Sequence, residues 1–473
     1  MVIFPKSWLP TSRLTVELSL MGAVSLGIGW AIVNGNGVLV VAPLLGAGLA
    51  ILLARRWLPY VLTLAAVSSF VFSRAYPQLS LGPIDVYFPE LLVAGGVLAT
   101  ALRGEVRRAV RHPIGIGVGI ALVAAFVGIP VGVFHGAPLL AALVDSRDFF
   151  YLASFALAAC ALAHPRGRLI VFWVSGLLGM LVVLAQVAQV ARGTSRPLFV
   201  TGSAANIVTL QDGFVRVRPP GLVLVYVLAA FSATYLLWGP AKRRGLAALV
   251  LVASLTGVLL SLNRNMLLGL VIGIAAAGVA APRRTRLAAA TAVAIIAFAS
   301  VTLAGPHGLP SSVAPVVQRI ASIGDVGQLR ETTLADRSYE NRLARAAIAK
   351  SLVLGIGWGS SYDARIAQRD GVVRERLFVH NQYYALWLRT GLVGLFALVT
   401  ALCAAVVVGA RYARSMAPDA WLGAGIVSAV VAVGASSFVA IYLTAADSIV
   451  PLAGVLGLAA TLASPESPAG ATR

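Results

Sequence analysis

Three short stretches of this chain combine residue types that handle phosphate and protons. In R-V-R-P-P-G (Arg216 to Gly221), Arg218 stands directly before a proline pair suited to a helix start. In S-L-N-R-N (Ser261 to Asn265), Arg264 occupies a tight turn between two very apolar runs. In H-N-Q-Y-Y (His380 to Tyr384), His380 stands at the head of a further apolar run. Guanidinium groups bind phosphate in bidentate fashion and keep their charge, whereas an imidazole exchanges a proton near neutral pH. Arg218, Arg264 and His380 together suit a phosphate-bearing substrate whose reaction moves a proton. Each also has a structural reading: Arg264 as a turn residue snorkelling to headgroups, Arg216 and Arg218 as loop charges on lipid phosphate, His380 as a helix-start residue bonded to backbone.

The elements that must position these residues are membrane helices. The chain is 59 % apolar and only 11 % charged, whereas a soluble domain is nearer about a quarter charged. Uncharged runs such as Leu246 to Leu262 and Leu287 to Ala304 approach the roughly 20 residues a helix needs to cross the hydrocarbon core. Backbone polar groups in lipid must be satisfied internally, and no alternating barrel pattern is present, so the sequence predicts an all-α, polytopic helical bundle of about fourteen spans. These fall near 14–33, 37–54, 58–73, 84–102, 114–134, 147–163, 169–191, 219–238, 246–262, 265–281, 287–304, 381–409, 420–442 and 447–463. Lys6 and Arg13 before the first run resemble a signal peptide, but without a clear cleavage site the run reads as a retained span.

A net charge of +20 suits nucleic acid in the abstract, yet the basic residues recur as small groups at span ends, which is how topology is encoded. With a cytoplasmic N-terminus, the clusters at Arg55, at Arg103 to Arg111, at Arg166, at Lys242, at Arg283 and at Arg411 all fall on the inner side. Nucleic acid is therefore excluded as a partner. Both termini are predicted cytoplasmic, and Arg218, Arg264 and His380 all meet the outer face. That face also receives two long segments, near 192–217 and 305–379, and the periodicity of Ser338 to Leu354 predicts a surface helix in the second. Cys160 and Cys403 lie inside apolar runs with no partner at metal-ligand spacing.

The stretch L-V-L-G-I-G-W-G-S (Leu352 to Ser360), followed by F-V-H-N-Q-Y-Y-A-L-W-L-R-T-G-L-V-G-L (Phe378 to Leu395), resembles the O-antigen ligase and O-antigen polymerase superfamily. Ser261 and Arg264 resemble that family's serine-and-arginine motif, with Asn263 where a second serine often stands. Arg218 and Gly221 resemble its earlier arginine-and-glycine motif, and Asn341 and Arg342 the start of its loop helix. The likeness runs from about Arg216 to Leu395; the first seven spans match only in hydropathy.

The resemblance implies a GT-C-like glycosyltransferase in a bacterial cytoplasmic membrane, with an extracytoplasmic active site and neither metal nor other cofactor. It implies a lipid-linked oligosaccharide donor on undecaprenyl diphosphate and a glycan, lipid or cell-wall acceptor. Arg218 and Arg264 would clamp the diphosphate and His380 would orient or deprotonate the acceptor hydroxyl or assist the leaving group. Arg216, Asn381, Tyr383, Arg342 and Trp358 would bind substrate; the loop acids, Glu340 among them, receive no role. The expected organisation is an N-terminal bundle at 1–191, an extracytoplasmic loop at 192–217, a core with the arginine motifs at 218–304, a large partly helical extracytoplasmic loop at 305–380, and C-terminal spans with a short tail at 381–473. The competing classes are a small-anion transporter and a non-catalytic envelope scaffold. Transport calls for several polar residues at mid-membrane, and Glu17, Glu90, Gln186 and Gln189 are the few candidates.

Overall fold

The computed structural model describes residues 55–68, 78–81, 84–102, 106–193, 207–209, 215–261, 263–280, 331–362, 365–367, 373–375, 379–415, 417–440 and 442–463. The spans expected at 14–33, 37–54 and 287–304, with Glu17 and the stretch 305–330, lie outside the described residues. The described residues from Arg56 onward form one unit.

Helices dominate. In chain order they are α1 (Leu58–Ser68), α2 (Phe88–Leu102), α3 (Val106–Arg111), α4 (Pro113–Phe134), α5 (Leu139–Phe150), α6 (Ser154–Leu162), α7 (Pro165–Arg192), α8 (Leu222–Trp238), α9 (Arg244–Leu260), α10 (Arg264–Ala280), α11 (Glu331–Lys350), α12 (Gln382–Ala413), α13 (Trp421–Ser436) and α14 (Ala446–Leu462). Three antiparallel hairpins join them: β1 (Gln78–Leu81) with β2 (Ile84–Tyr87), β3 (Ile207–Thr209) with β4 (Val215–Val217), and β5 (Arg365–Ala367) with β6 (Val373–Glu375). Among the described residues, Pro113–Phe134, Pro165–Arg192, Ala241–Leu260 and Gln382–Ala413 are long and apolar enough to cross a membrane. The other apolar helices are shorter, α1 having 11 residues, or roughly 16 Å at 1.5 Å per residue.

Small residues set the closest approaches between helices. Gly117 of α4 faces Ala397 and Ala401 of α12, and Gly128 faces the Arg389 carbonyl. Gly269 and Gly273 of α10 likewise admit Ala432 and Ser428 of α13. Between apolar helices in lipid there is no hydrophobic drive to associate, so such glycines serve by letting backbones pack.

The glycine-rich segment 355–360 threads into this packing. Helix α12 contains one non-helical residue, Gly391 (φ 68°, ψ −176°), which breaks it into 382–390 and 392–413. The break leaves the Leu388 carbonyl to accept from the N–H groups of Ile356 (2.7 Å) and Gly357 (3.0 Å), while Leu392 N–H donates to Val353 O (3.0 Å). Gly357 has a φ of 78° and abuts the Gly132 amide and Gly128 carbonyl of α4, where a side chain would collide with backbone. Gly357→Ala is therefore expected to lower stability by more than the roughly 1–3 kcal/mol of the left-handed backbone alone. A thermal melt of the detergent-purified variant equal to that of the native chain would refute this.

Four expected boundaries are corrected. The run at 147–163 is two helices, α5 and α6, joined by a 3-10 turn at Tyr151–Ala153. The run at 84–102 opens as strand β2 before α2. The loop helix starts earlier than Ser338 and ends at Lys350. The run at 420–442 stops at Ser436, where Ser437, Phe438 and Val439 donate three residues back and unwind the helix. The connection to α14, S-F-V-A-I-Y-L-T-A (Ser437 to Ala445), is apolar in sequence, with Tyr442 and Leu443 buried and Phe438 exposed, and hydropathy does not separate such a connection from a helix.

Candidate active site

Asn381 caps α12: its side-chain oxygen accepts from the N–H groups of Tyr383 (3.1 Å) and Tyr384 (3.4 Å), the ordinary solution for the orphan donors of a first turn. His380 precedes the cap and is 35 % exposed. Its backbone N–H donates to Glu340 Oε2 (3.2 Å), and its Nδ1 lies 2.9 Å from the same oxygen. Glu340 itself is fully buried. It is carried by α11, whose Ala344 and Ile348 pack with Val379, Ala385 and Leu388 at the beginning of α12.

The connection between α13 and α14 joins this corner to the arginine segments. Gln382 N–H donates to Ser437 O (2.9 Å), Thr444 Oγ1 donates to Gln382 Oε1 (2.6 Å), and the Tyr383 hydroxyl donates to Gly434 O (2.8 Å). On its other side, Ser436 Oγ donates to Asn265 O (2.9 Å), and Asn265 Nδ2 donates to the Tyr442 hydroxyl (3.3 Å). Arg264 is the first residue of α10, one position before Asn265. Burial pushes the Tyr442 hydroxyl up to about 12; the Asn265 hydrogen bond and the Arg218 charge act in the opposite direction, and Asp447 adds to the rise. Tyr442 is therefore a neutral hydroxyl. Asn265, Gln382, Tyr383, Ser436, Ser437, Tyr442 and Thr444 thus meet at one end of the bundle.

Arg216 lies on β4 opposite Val208. Between it and Arg218, the Val217 carbonyl accepts from Gln186 Nε2 (2.9 Å), which also donates to Gly257 O (3.0 Å). Gln186, a candidate polar residue at membrane depth, instead uses its amide to brace the strand that leads from one arginine to the other. Gln189 donates to Gly193 O (2.7 Å), and Glu90 sits in the first turn of α2 paired with Arg147 (2.8 Å). Arg342 is exposed on α11, its guanidinium 5.7 Å from the Tyr339 ring centre.

Trp358, expected to bind substrate, lies in the packing against α4. It is 2 % exposed, its indole N–H donates to Ala125 O (2.9 Å), and its ring packs near Phe149. The side chain is spent on seating the glycine-rich segment against α4.

Three structural participants escape a reading of the sequence. Glu340 is one of several acids in a long loop, although it lies in phase with Ala344 and Ile348 on one helical stripe. Arg389 stands in the sequence only as part of a motif, yet it is buried and binds Gly357 O (3.0 Å), Ser360 O (2.7 Å) and Asp145 Oδ2 (3.0 Å). The connection at 437–445 has the composition of a helix. Among the described residues no three His, Cys, Asp or Glu side chains gather as a metal site.

Residues 249–399 match the family model described as O-Antigen ligase. The chain carries an O-antigen ligase family domain. That domain includes Arg264, Glu340, His380 and Arg389, and it leaves Arg218 and the α13–α14 connection outside the matched residues. No curated protein matches the chain. The match supports an O-antigen ligase- or polymerase-like, glycosyltransferase-type role in cell-surface glycan biosynthesis, and the apolar helices agree with membrane embedding.

Proposed function

We propose that this O-antigen ligase family protein transfers a glycan from undecaprenyl diphosphate to an acceptor hydroxyl at the outer face of the cytoplasmic membrane. The observation that carries this reading is that the residues following His380 and Arg264 meet on the α13–α14 connection, while Gln186 holds the strand before Arg218 beside Gly257 near the end of α9. In the proposed reaction the acceptor oxygen bonds to the anomeric carbon as the bond from that carbon to the diphosphate oxygen breaks. The leaving diphosphate keeps the bonding electron pair, and the two guanidinium groups stabilise the charge that develops on it. The hydroxyl proton passes to His380 and then to solvent. A GT-C-like bundle of about fourteen spans, with its site extracytoplasmic, belongs to the same proposal.

The transporter reading loses support because Gln186 and Gln189 both donate to backbone carbonyls beside α7. The test is glycan transfer by the purified chain in detergent. It is supplied with undecaprenyl-diphosphate oligosaccharide as donor, and with the same lipid-linked glycan or a lipid-anchored core glycan as acceptor. Native product should fall by roughly 10²–10⁴-fold in His380→Ala, the usual worth of a positioned proton-transfer group. Equal product from both chains would remove His380 from the chemistry, and no product from the native chain with either acceptor would sink the reading.

A further inference from the structure

The buried stripe of α11 is Glu340, Ala344 and Ile348, at 0 %, 0 % and 3 % exposure. Two of these pack, as a docked helix requires; the third is a carboxyl group, which is costly to bury unless its oxygens are bonded. Glu340 Oε2 takes two contacts from one residue, the backbone N–H of His380 at 3.2 Å and the ring Nδ1 at 2.9 Å. A single oxygen holding both the main chain and the ring of His380 fixes where the imidazole sits and how it is rotated. An ionised Glu340 can only accept, so with the carboxylate charged Nδ1 is the nitrogen that carries the proton. Proton exchange with substrate then falls to Nε2.

We propose that Glu340 is the positioning residue for His380: it selects the Nδ1–H tautomer, turns Nε2 toward the acceptor hydroxyl, and offsets the imidazolium charge when Nε2 takes the proton. This rests on the preceding reading of His380 as the proton acceptor. The hydroxyl proton moves to Nε2, Nδ1 keeps its own, and Glu340 stays a carboxylate throughout, so no proton crosses to it. An acid that orients a histidine in this way contributes through tautomer and orientation rather than by touching the substrate. The arrangement has a consequence for the loop. Glu340 arrives on α11, so the histidine is correctly held only while that helix is docked against Val379, Ala385 and Leu388.

The experiment compares native chain, Glu340→Gln, Glu340→Asp and His380→Ala in the purified transfer reaction. Alongside it, nitrogen-15 spectra are recorded on histidine-labelled protein, with His380→Ala assigning one signal among the five histidines. The Nδ1–H tautomer is expected at His380 in the native chain. In Glu340→Gln, kcat should fall roughly 10²–10⁴-fold with donor KM changed by less than about threefold, and the histidine should move toward Nε2–H. Glu340→Asp should recover part of the lost kcat. Native His380 found as Nε2–H would overturn the proposal whatever the variants do, including a Glu340→Gln chain that fails to fold. A folded Glu340→Gln chain with native kcat beside an inactive His380→Ala would also overturn it, while leaving His380 in place. An active His380→Ala would remove the underlying reading instead.

Discussion

Arg218→Gln and Arg264→Gln are each expected to cut glycan transfer roughly 10²–10³-fold, the usual loss when one preorganised donor to a developing oxyanion is removed. In the proposed reaction the diphosphate gains charge as the anomeric bond breaks, so a guanidinium aimed at it works harder in the transition state than in the bound donor. The loss should accordingly fall mainly on kcat, with a smaller rise in donor KM. Lysine at either position should restore only part of it, because an ammonium is a point charge and lacks the planar fork that grips two phosphate oxygens. Arg218 is set by its neighbours: Pro219 and Gly221 lead from it into α8, and Gln186 braces the preceding Val217 carbonyl. Steady-state titration of donor with each purified variant checks the split. Transfer within about threefold of native by both glutamine variants would show that neither arginine meets the diphosphate.

The legible part of the fold and of the site is the part that individual residues advertise. Helices such as α4 and α8 announce themselves through long apolar runs with clear ends, Pro113 opening one and Gly239 closing the other. The residue types at 218, 264 and 380 point to phosphate and proton chemistry without any knowledge of their contacts. The link that brings their segments together is not legible. The connection at 437–445 has the composition of a span although it is not helical, and its bonds to Gln382 and Asn265 run through hydroxyls and backbone that composition does not reveal. Recognising Glu340 requires knowing which face of α11 is docked. The break in α12 at Gly391 follows Arg389 and Thr390 within a run that otherwise reads as one long helix, and Trp358, as an aromatic next to glycines, looks the same whether it lines a cavity or fills a core. Arg389 shows its charge but not its partners, which lie 29, 32 and 244 positions away in the chain.

Asp145→Ala is expected to be among the most destabilising single changes in the described chain, at roughly 3–5 kcal/mol, because it strands a buried guanidinium. Arg389 is 6 % exposed at its side chain and Asp145 is 31 % exposed. Removing the aspartate leaves a positive charge in the packing between α4, α5 and α12. It also frees the Gly359 N–H, which donates to Asp145 Oδ2 at 2.9 Å. Arg389→Met acts differently. The remaining carboxylate reaches solvent, but the Gly357 and Ser360 carbonyls lose their shared donor, each at a cost of about 1–3 kcal/mol. In the double variant no uncompensated buried charge remains, so it should be more stable than Asp145→Ala alone, and the two single losses should sum to more than the double loss. Thermal unfolding of the four chains in one detergent measures the cycle. Additive losses would mean that the pair is not coupled. The glycine-rich segment would then be held by its backbone bonds to Leu388 and Gly128 alone, with Arg389 contributing only through the two carbonyls it binds.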